Sequence, residues 1–324
     1  MRSLRLFALL AMAMPARAAE EAAPRASVII AVGTGGEPAY ADAFARWAAN
    51  WRKAGEAGGA HVESIAGNDS DALVHWRRLL DAEPKDTPAE LWLVLLGHGT
   101  FDGHDAKFNL PGEDLAASEL AAWLKPFHRP VIVICSFSAS GAFLKPLSAP
   151  GRVIITATKN GAENNFSRFG GYLSEAIADP AADLDKDGQT SLLEAWLAAA
   201  QRTAEFYKGE ERLATEHSLL DDNGDGFGTP PEWFQGVRVV KKPTDRRAPD
   251  GLRAHQIHLV ANAAERALSP ALRAERDAAE KELGQLREVK DSMPEEMYFS
   301  QLEALFLRLA HVYQKTGAPE APAR

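Results

Sequence analysis

The residues best suited to chemistry stand at the ends of two apolar runs. Leu91-Trp-Leu-Val-Leu-Leu96 ends in Gly97-His98-Gly99, and Val131-Ile-Val-Ile-Cys135 ends in Ser136-Phe-Ser138-Ala-Ser140-Gly141. A histidine titrates near neutrality and suits general-base work. A hydroxyl or thiol becomes a nucleophile once a base takes its proton. Short apolar runs bounded by turn residues read as buried parallel strands. In open α/β sheets ligands bind beyond the carboxyl ends of such strands, where His98 and Ser138 both fall.

Two acidic segments carry a different chemistry. Asp183-Leu-Asp-Lys-Asp-Gly-Gln-Thr-Ser-Leu-Leu-Glu194 puts oxygen ligands at the EF-hand positions: Asp183, Asp185, Asp187, Ser191 and Glu194. The backbone carbonyl of Gln189 adds another, and Gly188 permits the sharp turn that a hard cation such as Ca2+ requires. Thr190 departs from the usual apolar residue at its position, and an amphipathic helix, Leu192 to Tyr207, follows, as in half of an EF-hand pair. The second segment, residues 221–232, offers Asp221, Asn223, Asp225, Thr229 and Glu232 around Gly226. Pro230 and Pro231 and the lack of an amphipathic exit helix make it a degenerate version. Ca2+ is the expected cofactor, in a structural role.

The elements that must position these groups alternate. Ser27 to Val32 reads as a first strand, and Gly33-Thr-Gly-Gly36 as a strand-to-helix turn, since it lacks the GxGxxG spacing of a nucleotide cradle. Phe44, Trp47 and Trp51 then fall at helical spacing. Strand, helix and strand follow at His61–Ile65, Asp71–Leu80 and Leu91–Leu96, and further strands at Val131–Ile134 and Val153–Thr156. Such alternation predicts an α/β fold with a mostly parallel sheet between helices.

The ordered set resembles the legumain and caspase-like cysteine peptidases. In that family one strand ends in His-Gly and a second in an acid, a small residue, Cys, any residue and Ser-Gly. Anchoring on Ser140-Gly141 puts Ser138 at the nucleophile position and Ser136 at the acidic one. His98 and Gly99 match the general base and an oxyanion-hole glycine. Thr100-Phe-Asp-Gly103 and Arg152-Val-Ile-Ile-Thr-Ala157 extend the likeness over roughly residues 27–178. It implies a caspase-like three-layer sandwich whose chemistry would be thiolate attack on a peptide carbonyl. Serine is far less acidic than cysteine and needs an oriented base. Three readings follow: a non-catalytic pseudo-peptidase that binds peptide or protein in the cleft, a hydrolase using Ser138 with His98 (oriented by Asp102 or Asp105), or a shifted frame with Cys135 as nucleophile.

The chain as a whole narrows the setting. Arg2 and Arg5, the apolar stretch Leu6 to Met14 and Ala16-Arg-Ala18 read as a signal peptide over residues 1–18, which implies a periplasmic or secreted protein. That stretch is too short for a membrane span, and no later one is long enough. A formal charge of −9 argues against nucleic acid and anionic membrane as partners. The single cysteine, Cys135, excludes an internal disulfide. The expected organisation is an α/β domain over 25–242 with both acidic loops, a linker at 243–251, a helical hairpin over 252–316 and a disordered tail at 317–324. Leu272, Arg276, Ala279, Leu283 and Leu286, and then Tyr298, Leu302, Leu305, Leu309 and Val312, mark the hairpin's inner faces. The hairpin is expected either to pack back on the domain or to serve docking or dimerisation.

Overall fold

A computed structural model describes residues 24–241, 243 and 248–315. The expected signal peptide, the tail and part of the linker lie outside those residues. The chain runs β1 (Ser27–Val32), α1 (Pro38–Ala57), β2 (His61–Ile65), α2 (Ala72–Ala82) and β3 (Leu91–Leu96). A small antiparallel arm follows, β4 (Gly99–Phe101), β5 (Ala106–Phe108) and β6 (Leu115–Ala116), then α3 (Ala117–Leu124). Next come β7 (Val131–Ser136), α4 (Gly141–Leu147), β8 (Arg152–Thr156), α5 (Phe169–Ala176), α6 (Leu192–Gly209) and β9 (Leu219–Asp221). The chain continues through β10 (Phe234–Gln235), β11 (Arg238–Val239), α7 (Leu252–His255), α8 (Ala263–Arg266), α9 (Pro270–Glu288) and α10 (Glu295–Gln314).

The central sheet has the order β2-β1-β3-β7-β8-β9, parallel throughout except for β9. The fold is therefore a mostly parallel α/β sheet flanked by helices, as the alternation predicts. The inner strands β1, β3, β7 and β8 are apolar on both faces because both faces are covered. Val28, Ile30, Val94, Ile134 and Ile155 point towards α1, α5 and α6, where Phe44, Trp51, Phe169 and Trp196 pack. Ile29, Leu93, Leu95, Val133 and Cys135 point the other way, onto Trp76, Leu80, Leu120 and Phe143. The period of two along each strand thus sorts one continuous apolar run into two cores.

The C-terminal helices form as expected, with Arg276, Ala279, Leu283 and Leu286 buried along α9 and Tyr298 and Val312 along α10. Two short helices, α7 and α8, precede them where a continuous helical hairpin was expected from residue 252. The hairpin packs back on the rest of the chain through charge. Arg276 meets Glu265 at 3.0 Å with both side chains buried, and Arg273 reaches Glu90 at 3.7 Å. Among the described residues no helix is long and apolar enough to cross a membrane.

Candidate functional site

His98 and Ser138 both lie just past the carboxyl ends of neighbouring strands, β3 and β7, whose register pairs Leu96 with Ser136. The structure brings the two segments together through backbone. Ser138 Oγ accepts from the Gly99 N–H at 3.0 Å and donates to the Gly99 carbonyl at 3.1 Å. The contact needs glycine: a Cβ at position 99 would sit 2.4 Å from the Ser138 carbonyl oxygen and 2.5 Å from the Phe137 ring. Ser138 is only 2% exposed, and it makes no hydrogen bond to His98. The next residue, Ala139, is buried with φ +60, a left-handed conformation that costs a non-glycine residue free energy and aims the turn sharply into α4.

His98 is instead packed among rings. Tyr40 and Phe44 of α1 approach it edge-on with centroids 5.2 Å away, and Phe166 lies at 6.1 Å. Burial lowers its pKa below the usual histidine value, opposed by a hydrogen bond with the Gly35 backbone. Neither acid expected to orient it does so. Asp102 Oδ1 accepts from the N–H groups of His104 and Asp105 and so only closes its own turn. Ser136, at the position where an acid was looked for, is a buried hydroxyl with no hydrogen-bond partner among the described residues. It is backed by Gly170, where a Cβ would lie 2.7 Å from the Ser136 Cβ. Cys135 is fully buried in β7, and burial pushes its thiol far up.

The first acidic loop brings Asp183, Asp185 and Asp187 together, with ligand atoms within 4.8 Å of one another. Oxygens on opposite sides of one Ca2+ stand roughly 4.6–5.2 Å apart, so this all-oxygen set fits a hard cation. Asp183 holds the turn by accepting from the N–H groups of Lys186 and Gly188. Burial, and then the charge of Asp185, pushes Asp187 up to about 6. Glu194 lies behind this trio. One oxygen accepts from the N–H groups of Leu184 and Asp185, the other from the N–H and hydroxyl of Ser191. Ser191 and Glu194 thereby form the capping box that starts α6. His255 reaches in from α7, with Nε2 2.9 Å from Asp185 Oδ2.

The second loop repeats the first turn for turn. Asp221 accepts from the N–H groups of Gly224 and Gly226, Asn223 from that of Asp225, and Asp225 from that of Phe227. The structure does not bring Glu232 to it. Glu232 lies exposed in a short 3-10 turn, Pro231–Trp233, and makes no hydrogen bond or ion pair among the described residues. Asp250 occupies the closing role instead. Its Oδ1 accepts from the N–H groups of Asp222 and Asn223, and its Oδ2 from the Thr229 hydroxyl at 2.6 Å. These are the counterparts of the groups that Glu194 satisfies in the first loop, by position in the turn. Asp250 is 2% exposed, and burial and the neighbouring Asp222 raise its pKa. Spacing within a twelve-residue window could not find it; the one signal was Asp250-Gly251 at the end of a Pro-containing stretch.

No family model matches the chain, and no curated protein does. Solved structures do. A protein of Geobacter sulfurreducens is similar at 14% identity and a TM-score of 0.40, over 61% of this chain and 93% of that one. The Drosophila initiator caspase Dronc is similar at 12% identity and a TM-score of 0.40, over 63% and 81%. Caspase-1 from Spodoptera frugiperda is similar at 10% identity and a TM-score of 0.38, over 61% and 86%.

Proposed function

We propose that this chain is a caspase/legumain-like pseudo-peptidase: an exported protein that binds a peptide or protein at the His98 end of its sheet and is stabilised by Ca2+. The observation that carries the non-catalytic reading is the pair of hydrogen bonds between Ser138 Oγ and Gly99. A peptidase needs a backbone N–H free to meet the developing oxyanion. Here the Gly99 N–H is already spent on the residue at the nucleophile position. Among the described residues His98 has neither a bond to Ser138 nor an orienting acid, and the Cys135 thiol is sealed inside the sheet. Binding is supported by the half-buried Tyr40, His98 and Phe166 beside Arg168, because aromatic residues and arginine are enriched at interfaces.

Ca2+ would be held in the first loop by Asp183, Asp185, Asp187, Ser191 and the Gln189 carbonyl, with Glu194 behind them. In the second loop the ligands would be Asp221, Asn223, Asp225 and Thr229, with Asp250 in place of Glu232. The ion would supply charge neutralisation, which lets several carboxylates share a small volume.

Intact mass after treatment with a fluorophosphonate, and separately with a thiol alkylator, tests the reading. It is run with and without Ca2+, beside Ser138→Ala and His98→Ala. The expected result is no adduct at Ser138 and an unreactive Cys135 in the folded protein, with a melting temperature that rises in Ca2+. A phosphonyl adduct lost in both variants would make the chain a serine hydrolase and end the pseudo-peptidase reading.

A further inference from the structure

The end of the sheet opposite to His98 holds a cavity of about 430 Å3, lined by Phe127, His128, Arg129, Arg152, Asp222 and Arg253. It sits at the amino ends of β7 and β8, where Val131 and Arg152 begin their strands. Three guanidinium groups meet there, and they are not equally committed. Arg129 is fully used: it donates to the carbonyls of Ala89 and Glu90 and to the Glu83 carboxylate at 2.8 Å. Arg152 donates only to the carbonyls of Leu147 and Leu124 and has no carboxylate partner among the described residues. Its charge is hydrogen-bonded but not neutralised. Arg253 has Asp277 at 3.9 Å, and its Nε is buried without an acceptor among the described residues.

The one acid of the lining, Asp222, is turned to backbone: its Oδ2 accepts from the N–H groups of Gly251 and Ala254, and it forms no ion pair with the three arginines among the described residues. A guanidinium is a planar fork of donors whose geometry matches carboxylate and phosphate oxygens. Arg152, with no carboxylate partner among the described residues, and Arg253, with one only at 3.9 Å, leave positive charge for an arriving oxyanion to neutralise. The volume lies within the usual range of small-molecule sites.

We propose that this cavity binds a small oxyanion ligand, a carboxylate or a phosphate, held by Arg152 and Arg253. The inference is independent of the pseudo-peptidase reading, since the cavity lies at the other end of the sheet; both arginines lie outside the acidic loops, while Asp222 of the second loop lines the cavity.

Calorimetric titration of the full chain in Ca2+-free buffer tests it, with inorganic phosphate and succinate as probes and sodium chloride at matched ionic strength as control. Saturable binding of one or both probes is expected, absent with chloride and about tenfold weaker in Arg253→Gln and in Arg152→Gln. Arg253 is partly exposed on a short helix, so its variant alone decides the outcome if Arg152→Gln fails to fold. Which probe binds names the ligand class. No saturable binding by either, or equal affinity in Arg253→Gln, overturns the proposal.

Discussion

The acidic loops at 183–194 and 221–232 share one backbone and differ in how they are closed. Each has two left-handed residues at the same positions, Lys186 and Gly188 in the first, Gly224 and Gly226 in the second. Each opens on an aspartate that accepts from the N–H groups at those positions. The first is closed from within by Glu194 on the helix that follows it. The second is closed by Asp250, which arrives after a detour through β10 and β11. The closing residue is therefore defined by the N–H groups it satisfies, not by its distance along the chain. An exit helix makes the local solution possible because it brings its third residue back over the loop. In the second loop Pro231 holds the residue before it, Pro230, in extended backbone at ψ 155, so no helix starts on Thr229, and a distant carboxylate takes the place.

The largest expected effect separates Asp250 from Glu232. Asp250→Ala leaves two backbone donors and the Thr229 hydroxyl without their acceptor, and should cost about 2–4 kcal/mol of stability. Glu232→Ala should change stability by less than about 0.5 kcal/mol, because the side chain is exposed and has no polar partner among the described residues. Urea denaturation in Ca2+ and in chelator measures both. Equal effects of the two substitutions would break the comparison.

A smaller effect tests the shared backbone. A Cβ at Gly224 would lie 2.6–2.8 Å from backbone atoms of Ala149 and Pro150, at φ +76. Gly224→Ala should therefore destabilise by about 2 kcal/mol. Its counterpart Lys186→Gly relieves a left-handed non-glycine residue at φ +65 and should be neutral or stabilising by about 0.5 kcal/mol. Thermal melts of both variants, read side by side, show whether one turn geometry underlies two sequences.

The smallest effect concerns the segment after both loops that touches each of them, from Asp250 through α7 to His258. His258 on it is pushed down to about 3, mainly by burial and by Arg276, then by His255 and Arg273, with Asp185 opposing. Its folded pKa is below its unfolded value, so its contribution to stability is complete above about pH 6.5 and falls away as pH drops towards the folded value. The ring is only half-buried, so about 1–2 kcal/mol is at stake. His258→Gln should flatten that acid limb in denaturation measured from pH 7 to pH 4. A limb unchanged in the variant would place the acid sensitivity elsewhere.

Much of this molecule was legible in its residues. The apolar runs of β1, β3, β7 and β8, their parallel pairing and the inner faces of α9 and α10 follow from periodicity, which is a local property. The placement of His98 and Ser138 past neighbouring strand ends follows from the same alternation. The clustering of Asp183, Asp185 and Asp187 was legible too, since they lie within one short window. What the residues could not declare was every relation across the chain. That Ser138 Oγ would bond the Gly99 backbone, that Phe166 would pack against His98, and that Asp250 would close the second loop are contacts spanning from 21 residues apart (Thr229–Asp250) to 68 (His98–Phe166). Residue type and spacing determine the strands and turns because hydrogen bonds and side-chain periodicity act between near neighbours. Only the tertiary structure decides which buried donor meets which distant acceptor, because that choice is made by packing the whole sheet and its helices at once.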